Sequence, residues 1–279
     1  MEILGCGSAR NSWRGTSEAK SGSCEVSLLR LIARLDIKNN TVVKGIQFEG
    51  LRVVGDPCAM AKRYAESGAD EIFYNDVVAT LYGRSAITNI LDRTTRDVFI
   101  PITVGGGVKS RADVQRLLDS GADKVAINTA AIRNPSLIQE LSDYYGSQAI
   151  VVSVEAKKRP GAISWEALTD SGREKSEKEA IGWIKEAVEL GAGEIFLTSV
   201  DQDGTLKGPD TALLEALGWI QVPLVYCGGV GTVEHARRAL NAGADAIAMG
   251  AALHYNKTNF TEMRAGLTND ERRRKRVLG

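Results

Sequence analysis

The chain has 279 residues, with 35 Lys and Arg against 35 Asp and Glu, 29 glycines and two histidines. That length holds either two average domains or one α/β barrel. Zero formal net charge leaves no overall field to gather nucleic acid or an anionic membrane, and apolar runs such as Ala149 to Val152 fall far short of the roughly 18 to 20 residues that span a bilayer.

Residues 1–27 are Gly/Ser-rich with mixed charge and no apolar core of the signal-peptide kind, and read as an appended arm. From Leu31 onward, short apolar runs alternate with amphipathic segments, the pattern of βα units and a parallel sheet. Eight strands are predicted near Leu31 to Leu35, Ile72 to Tyr74, Ile102 to Val104, Val125 to Ile127, Ala149 to Val154, Ile195 to Leu197, Leu224 to Cys227 and Ala246 to Met249. The helices between them carry start and stop signals. Asp56-Pro57 is an N-cap followed by a first-turn proline, and Gly68 supplies the positive φ that ends the helix. Ser110 with Gly121 and Thr232 with Gly243 repeat that design. The barrel is predicted over residues 28–256, followed by a helix and basic tail over 257–279; Arg272 to Arg276 read as a solvated end.

Cys6, Cys24, Cys58 and Cys227 show no Cys-x-x-Cys spacing, and His235 and His254 have no cysteine between them. No metal site or disulfide framework is predicted, and a reduced cytosol is the expected compartment.

An internal repeat decides the architecture. Gly68-Ala69-Asp70-Glu71 recurs as Gly121-Ala122-Asp123-Lys124, Gly191-Ala192-Gly193-Glu194 and Gly243-Ala244-Asp245-Ala246. Gly68 and Gly191 lie 123 residues apart, Gly121 and Gly243 lie 122 apart, and the clusters starting at Gly105 and Gly228 again lie 123 apart. Four βα units followed by the same four predict a (β/α)8 barrel of two halves, which an open doubly wound sheet has no reason to show.

In such a barrel, chemistry belongs at the C-terminal ends of the strands. Asp36 ends the first strand and Glu155 the fifth, nearly equivalent under the repeat; two carboxylates facing one another across a mouth can take different pKa values and act as base and acid. The glycine clusters lead to helix caps, with Asn128-Thr129 after strand four and Gly250-Ala251 after strand eight. They suit two phosphates, hence a substrate phosphorylated at both ends. Asp76 and the run Asp201 to Gly204 add polar groups to this rim, and the first loop, Lys38 to Asp56 with Lys44, is a candidate lid or equally a solvated hairpin with a surface lysine. At the opposite face Arg30, Glu71, Lys124 and Glu194 each begin a strand, which reads as a salt-bridged plug.

These motifs together resemble the cyclase subunit of imidazole glycerol phosphate synthase, a family of histidine biosynthesis. The carriers are Ala33-Arg34-Leu35-Asp36-Ile37-Lys38, Val42-Val43-Lys44-Gly45, Thr103-Val104-Gly105-Gly106-Gly107, Lys124 to Ala131, Gly146-Ser147-Gln148-Ala149 and Leu197 to Thr205, within a likeness running from about Leu29 to Asn256. The resemblance implies that Asp36 is the general base and Glu155 the general acid. It implies phosphate contacts at Gly107, Asn128 and Thr129 in one half and at Gly204, Gly229, Gly250 and Ala251 in the other, an active-site role for Asp203, and a mobile-loop lysine at Lys44. Arg30, Glu71, Lys124 and Glu194 become a gate for ammonia made by a docked glutaminase subunit, with Asp123 on the docking face. The implied reaction closes an imidazole ring on a phosphoribulosyl-formimino aminoimidazole carboxamide ribotide. It needs proton transfers and no redox step, so no cofactor is expected.

Four rim positions depart from the family pattern. Glu155 stands for an Asp, which moves the carboxylate by about 1 Å, a displacement that can cost about 10²-fold in rate. Arg34 stands for a small residue, and Cys227 and Ala251 each for a serine. Three other readings follow from these departures. One is a paralogous ammonia-using synthase in sugar amidination for surface polysaccharide, another a weakly catalytic barrel that activates a glutaminase, and the last the related isomerase, which needs no ammonia gate.

Overall fold

A computed structural model of the chain describes residues 29–79 and 87–268. The arm at 1–27 and the basic run Arg272 to Arg276 lie outside the described residues. In chain order the strands are β1 (Arg30–Lys38), β2 (Thr41–Ile46), β3 (Glu49–Gly55), β4 (Glu71–Asp76), β5 (Ile102–Gly105), β6 (Lys124–Ile127), β7 (Ile150–Lys158), β8 (Trp165–Thr169), β9 (Glu174–Glu179), β10 (Glu194–Ser199), β11 (Leu224–Cys227) and β12 (Ala246–Met249). Eight of them pair in parallel in the order β10, β11, β12, β1, β4, β5, β6, β7, and β7 returns to pair with β10. The sheet is therefore a closed (β/α)8 barrel.

The strands are buried on both faces, which is why they read as continuous apolar runs. Along β1, Leu31, Ala33, Leu35 and Ile37 pack outward under the helices, whereas Ile32 joins Phe73, Ala126, Val151, Phe196 and Val225 in a separate cluster inside the barrel. Period-two alternation places Arg30, Arg34 and Asp36 on the same inward face as Ile32. The lumen is filled by side chains and is no open pore.

The half-repeat is visible in the structure. β1 and β7 each run nine residues and continue into an antiparallel hairpin, β2–β3 after the first and β8–β9 after the second. Helices begin at Pro57 and Ala180, and at Arg111 and Val233. The predicted caps are in place: Asp56, Ser110 and Thr232 accept from the N–H of Ala59, Asp113 and His235.

The repeated Gly-Ala-Asp phrase also has a local reason. Gly68, Gly121, Gly191 and Gly243 all take φ between 98° and 120°, open to glycine without strain. Asp70, Asp123 and Asp245 then accept the N–H of Leu31, Ile102 and Leu224 at 2.7, 2.8 and 2.9 Å, tying each strand to the start of its neighbour. In the remaining copy Gly193 replaces the aspartate. A Cβ there would lie 2.0 Å from the Ser147 carbonyl oxygen, so no side chain fits. After the barrel, a helix over Phe260–Thr268 packs on the helix over Val233–Asn241. Among the described residues no helix is long and apolar enough to cross a membrane.

Candidate active site

Asp36 lies on the inward face of β1 near its end, where the chain turns at Asn39 (φ 56°) and returns as β2. That return brings Lys44 over the mouth. Lys44 is only 2% exposed, and its Nζ donates to Asp36 Oδ2 at 3.3 Å and to both carboxylate oxygens of Asp203 at 2.9 and 3.0 Å. From below, Arg34 Nε donates to Asp36 Oδ1 at 2.9 Å, and Asn75 adds a longer bond at 3.4 Å. Burial alone would raise the Asp36 pKa, but Arg34 and Lys44 outweigh it and hold this carboxyl well below the usual range. Burial would lower the Lys44 pKa, but Asp203 and, after it, Asp36 outweigh burial and raise it.

Glu155 occupies the equivalent place on β7 and is equally buried. Two cations, Arg34 and Lys44, already balance Asp36 and Asp203, so Glu155 is a third carboxylate without a cation of its own. Burial, with further repulsion from Asp36 and Asp203, pushes it up to about 7 against the pull of Arg34 and a backbone hydrogen bond from Gly172. Asn128 Nδ2 donates to Glu155 Oε2 at 3.1 Å and to the Leu168 carbonyl, fixing the carboxyl at the mouth. The pair expected from the repeat thus has two unlike members, one held ionised and one poised to exchange a proton near neutrality.

Glu155 opens onto a cavity of about 260 Å³ that reaches Gly105, Gly106 and Gly107, Asn128 and Thr129. The first-half residues singled out in the sequence therefore share one space with the carboxyl. Two basic residues that sequence reasoning passed over, Lys109 and Arg133, line it as well. Their signal was available: Lys109 follows the glycine cluster and Arg133 stands one turn after Thr129. Arg133 also pairs with Asp170 at 3.1 Å.

The second half is arranged otherwise. Hairpin β2–β3 lies against it: Gln47 donates its N–H to the Asp203 carbonyl at 2.9 Å, and a Cβ on Gly204 would meet the Gly45 carbonyl oxygen at 2.5 Å. The Gly229 carbonyl accepts from Gly208 N–H at 2.9 Å, and Gly250 and Ala251 are buried, Gly250 beside Lys44. The backbone that the repeat places there is packed against hairpin and loop. Asp76 serves a turn, accepting from Val78 and Ala79, and Asp201 ties its loop to the end of β7 by accepting from Lys158.

At the bottom face the four predicted charges form a closed ring. Arg30 reaches Glu71 at 3.2 Å and Glu194 at 2.7 Å, and Lys124 reaches the same two at 2.9 and 3.0 Å. Thr103 donates to the remaining oxygen of Glu71. Asp123 is exposed on this face while its carboxylate holds the Ile102 N–H, so it has a structural bond whatever else it meets. Just inside the ring, Phe73 and Phe196 stack with centroids 4.1 Å apart.

Comparison with known proteins agrees with this geometry. The histidine biosynthesis protein family matches residues 30–259. The imidazole glycerol phosphate synthase subunit HisF of Legionella pneumophila is 49% identical over 210 residues, covering 75% of this chain and 99% of that protein. Those of Corynebacterium glutamicum (strain R) and Wolinella succinogenes are 44% and 43% identical, each covering 86% of this chain and 95% of the relative.

Proposed function

The chain belongs to the histidine biosynthesis family and is a cyclase subunit of imidazole glycerol phosphate synthase, an enzyme, and we propose that Asp36 and Glu155 carry its proton transfers. The relatives favour this reading over sugar amidination and over a purely scaffolding barrel. Its substrate is the phosphoribulosyl-formimino aminoimidazole carboxamide ribotide. Ammonia closes the imidazole ring, and imidazole glycerol phosphate and aminoimidazole carboxamide ribotide leave.

The observation that carries the assignment is the unlike pair at the mouth. With a pKa of about 7, Glu155 is protonated in a large fraction of molecules at neutral pH and can donate to a departing group. Asp36 is in the deprotonated form that a base requires. Withdrawal of Lys44 with hairpin β2–β3 would remove one of its two cations and raise its affinity for a proton.

The substrate's two phosphates have unequal hosts. One is proposed for the cavity at Gly107, Asn128 and Thr129, with Lys109 and Arg133 supplying charge. The other falls to Gly204, Gly229, Gly250 and Ala251 once β2–β3 lifts. Ammonia is proposed to arrive from a glutaminase partner, forming a heterodimer at the bottom face, through the ring of Arg30, Glu71, Lys124 and Glu194, with Asp123 at the contact. No cofactor enters this scheme.

The test supplies purified protein with the bisphosphate and ammonium and follows loss of substrate absorbance. Asp36→Asn and Glu155→Gln should each lose about 10²- to 10⁴-fold in kcat. Wild-type turnover in Asp36→Asn would remove the assignment.

A further inference from the structure

Arg34 enters the reaction scheme only as a charge beside Asp36, and its placement carries more than that. It is 2% exposed and stands on the inward face of β1 directly below Asp36. Its Nε bonds Asp36, while its Nη1 donates to Thr198 Oγ1 at 2.9 Å on β10 and contacts Cys227 Sγ at 3.6 Å on β11. The guanidinium is packed between two aromatic rings, 5.9 Å from the centroid of Phe196 in the lumen and 5.4 Å from that of Phe48 in the hairpin turn. On the opposite side of the barrel small residues, Gly105, Ala126 and Ser153, border the open cavity. A bulky cation thus fills one half of the upper lumen and leaves the Glu155 half free.

We propose that Arg34 is a positioning residue of the mouth, whose guanidinium, anchored to Thr198, holds the Asp36 carboxylate in one orientation with a fixed positive charge beside it, and so divides the work between the two carboxylates. The groups around Asp36 and its two cations are Asn75 on β4, Glu155 on β7 and His254 after β12 beside the carboxylate, and Asp203 after β10 and Cys227 on β11 beside Arg34 on β1 and Lys44 on β2. Among these the arginine and the lysine bring positive charge, since burial lowers the His254 pKa to about 4. Lys44 rides on a hairpin and lies closer to Asp203 than to Asp36. Arg34 is rooted in the barrel strand itself and remains beside Asp36 whatever the hairpin does. Only a planar fork can bond Asp36 through Nε and Thr198 through Nη1 at once, so lysine is an incomplete substitute.

The part played by Arg34 in turnover rests on the role proposed above for Asp36, but its effect on the Asp36 carboxyl does not. The experiment titrates the full chain labelled with ¹³C at aspartate carboxyls, with the Asp36 signal assigned by its loss in Asp36→Asn. In the wild type this signal should stay at its ionised position down to about pH 4. In Arg34→Met its midpoint should move up toward the ordinary carboxylate value of about 4, and in Arg34→Lys it should move the same way by less. Should Arg34→Met fail to fold, the shift in Arg34→Lys carries the test. An Asp36 signal that titrates as in the wild type in the folded variants overturns the proposal. With ammonium and the bisphosphate, Arg34→Met should also lose at least about tenfold in kcat, with partial recovery in Arg34→Lys. If Asp36→Asn keeps full activity while the carboxyl signal still responds to Arg34, the base assignment fails and the positioning of Asp36 stands.

Discussion

At the level of single residues, the mouth turns on charge balance. Asp36 and Glu155 are chemically alike, similarly buried and related by the repeat, yet Arg34 and Lys44 both bond Asp36, while at Glu155 desolvation outweighs the more distant pull of Arg34. The difference predicts opposite effects on stability. Glu155 is raised above its unfolded value, so the native state binds its proton more tightly. The stability that goes with this proton is full below about pH 4.5 and is lost as pH rises toward 7, at up to about 1.4 kcal/mol per pH unit. In Glu155→Gln that loss should vanish, so the variant gains on the wild type between pH 5 and pH 7 in thermal unfolding; a constant difference would contradict the assignment. Asp36 has the reverse sign, contributing stability above its ordinary value of about 4 and losing it below. The sequence placed both carboxylates at strand ends. It could not show their unequal environments, because Arg34 and Lys44 reach Asp36 from inside the lumen and from a hairpin, contacts that only closure of the barrel creates.

Among the secondary-structure elements, the repeat explains both what matches and what differs. Caps at Ser110 and Thr232 were readable as short polar residues before amphipathic runs, and each accepts the expected N–H. Either one changed to alanine should cost about 0.5 to 2 kcal/mol in denaturant unfolding, with activity largely kept; no change in either variant would remove the cap argument. Gly193 is a second test. Restoring the aspartate of the other three copies should destabilise the fold by about 1 to 3 kcal/mol, since the new Cβ runs into Ser147 backbone. A Gly193→Asp variant as stable as the parent would show that the short turn over Ser147–Ala149 yields. The second hairpin, by contrast, was not legible, and the first was legible only as an alternative to a lid. The segments over 41–55 and 165–179 are polar, half-exposed and rich in positive φ at Gln47, Phe48, Asp170 and Ser171, so they read as loops. The first segment reads equally as a lid or as a solvated hairpin, and its packing, with Lys44, over Gly204 and Gly250 was not legible because it depends on contacts made only once the barrel closes.

For the whole molecule, the fold sets two charged clusters at opposite ends of one barrel. The lower end is a ring of four charges with the glutamates almost wholly buried, and the upper end holds the carboxylates, with a stacked Phe73–Phe196 pair between. The eight-stranded barrel was legible from the spacing of 122 to 123 residues, since a duplicated half leaves little choice of topology. Lys124→Ala leaves Glu71 and Glu194 sharing Arg30 alone. It should cost about 3 kcal/mol in unfolding and weaken glutamine-dependent turnover with a glutaminase partner more than turnover with added ammonium. Equal loss with both nitrogen sources would speak against a gate. The central claim, that this barrel is the ring-closing subunit, is tested most directly by giving the purified wild-type chain the phosphoribulosyl-formimino bisphosphate with ammonium and identifying the products by mass. Stoichiometric imidazole glycerol phosphate and aminoimidazole carboxamide ribotide are the predicted result; an intact bisphosphate after prolonged incubation with folded protein would contradict the account.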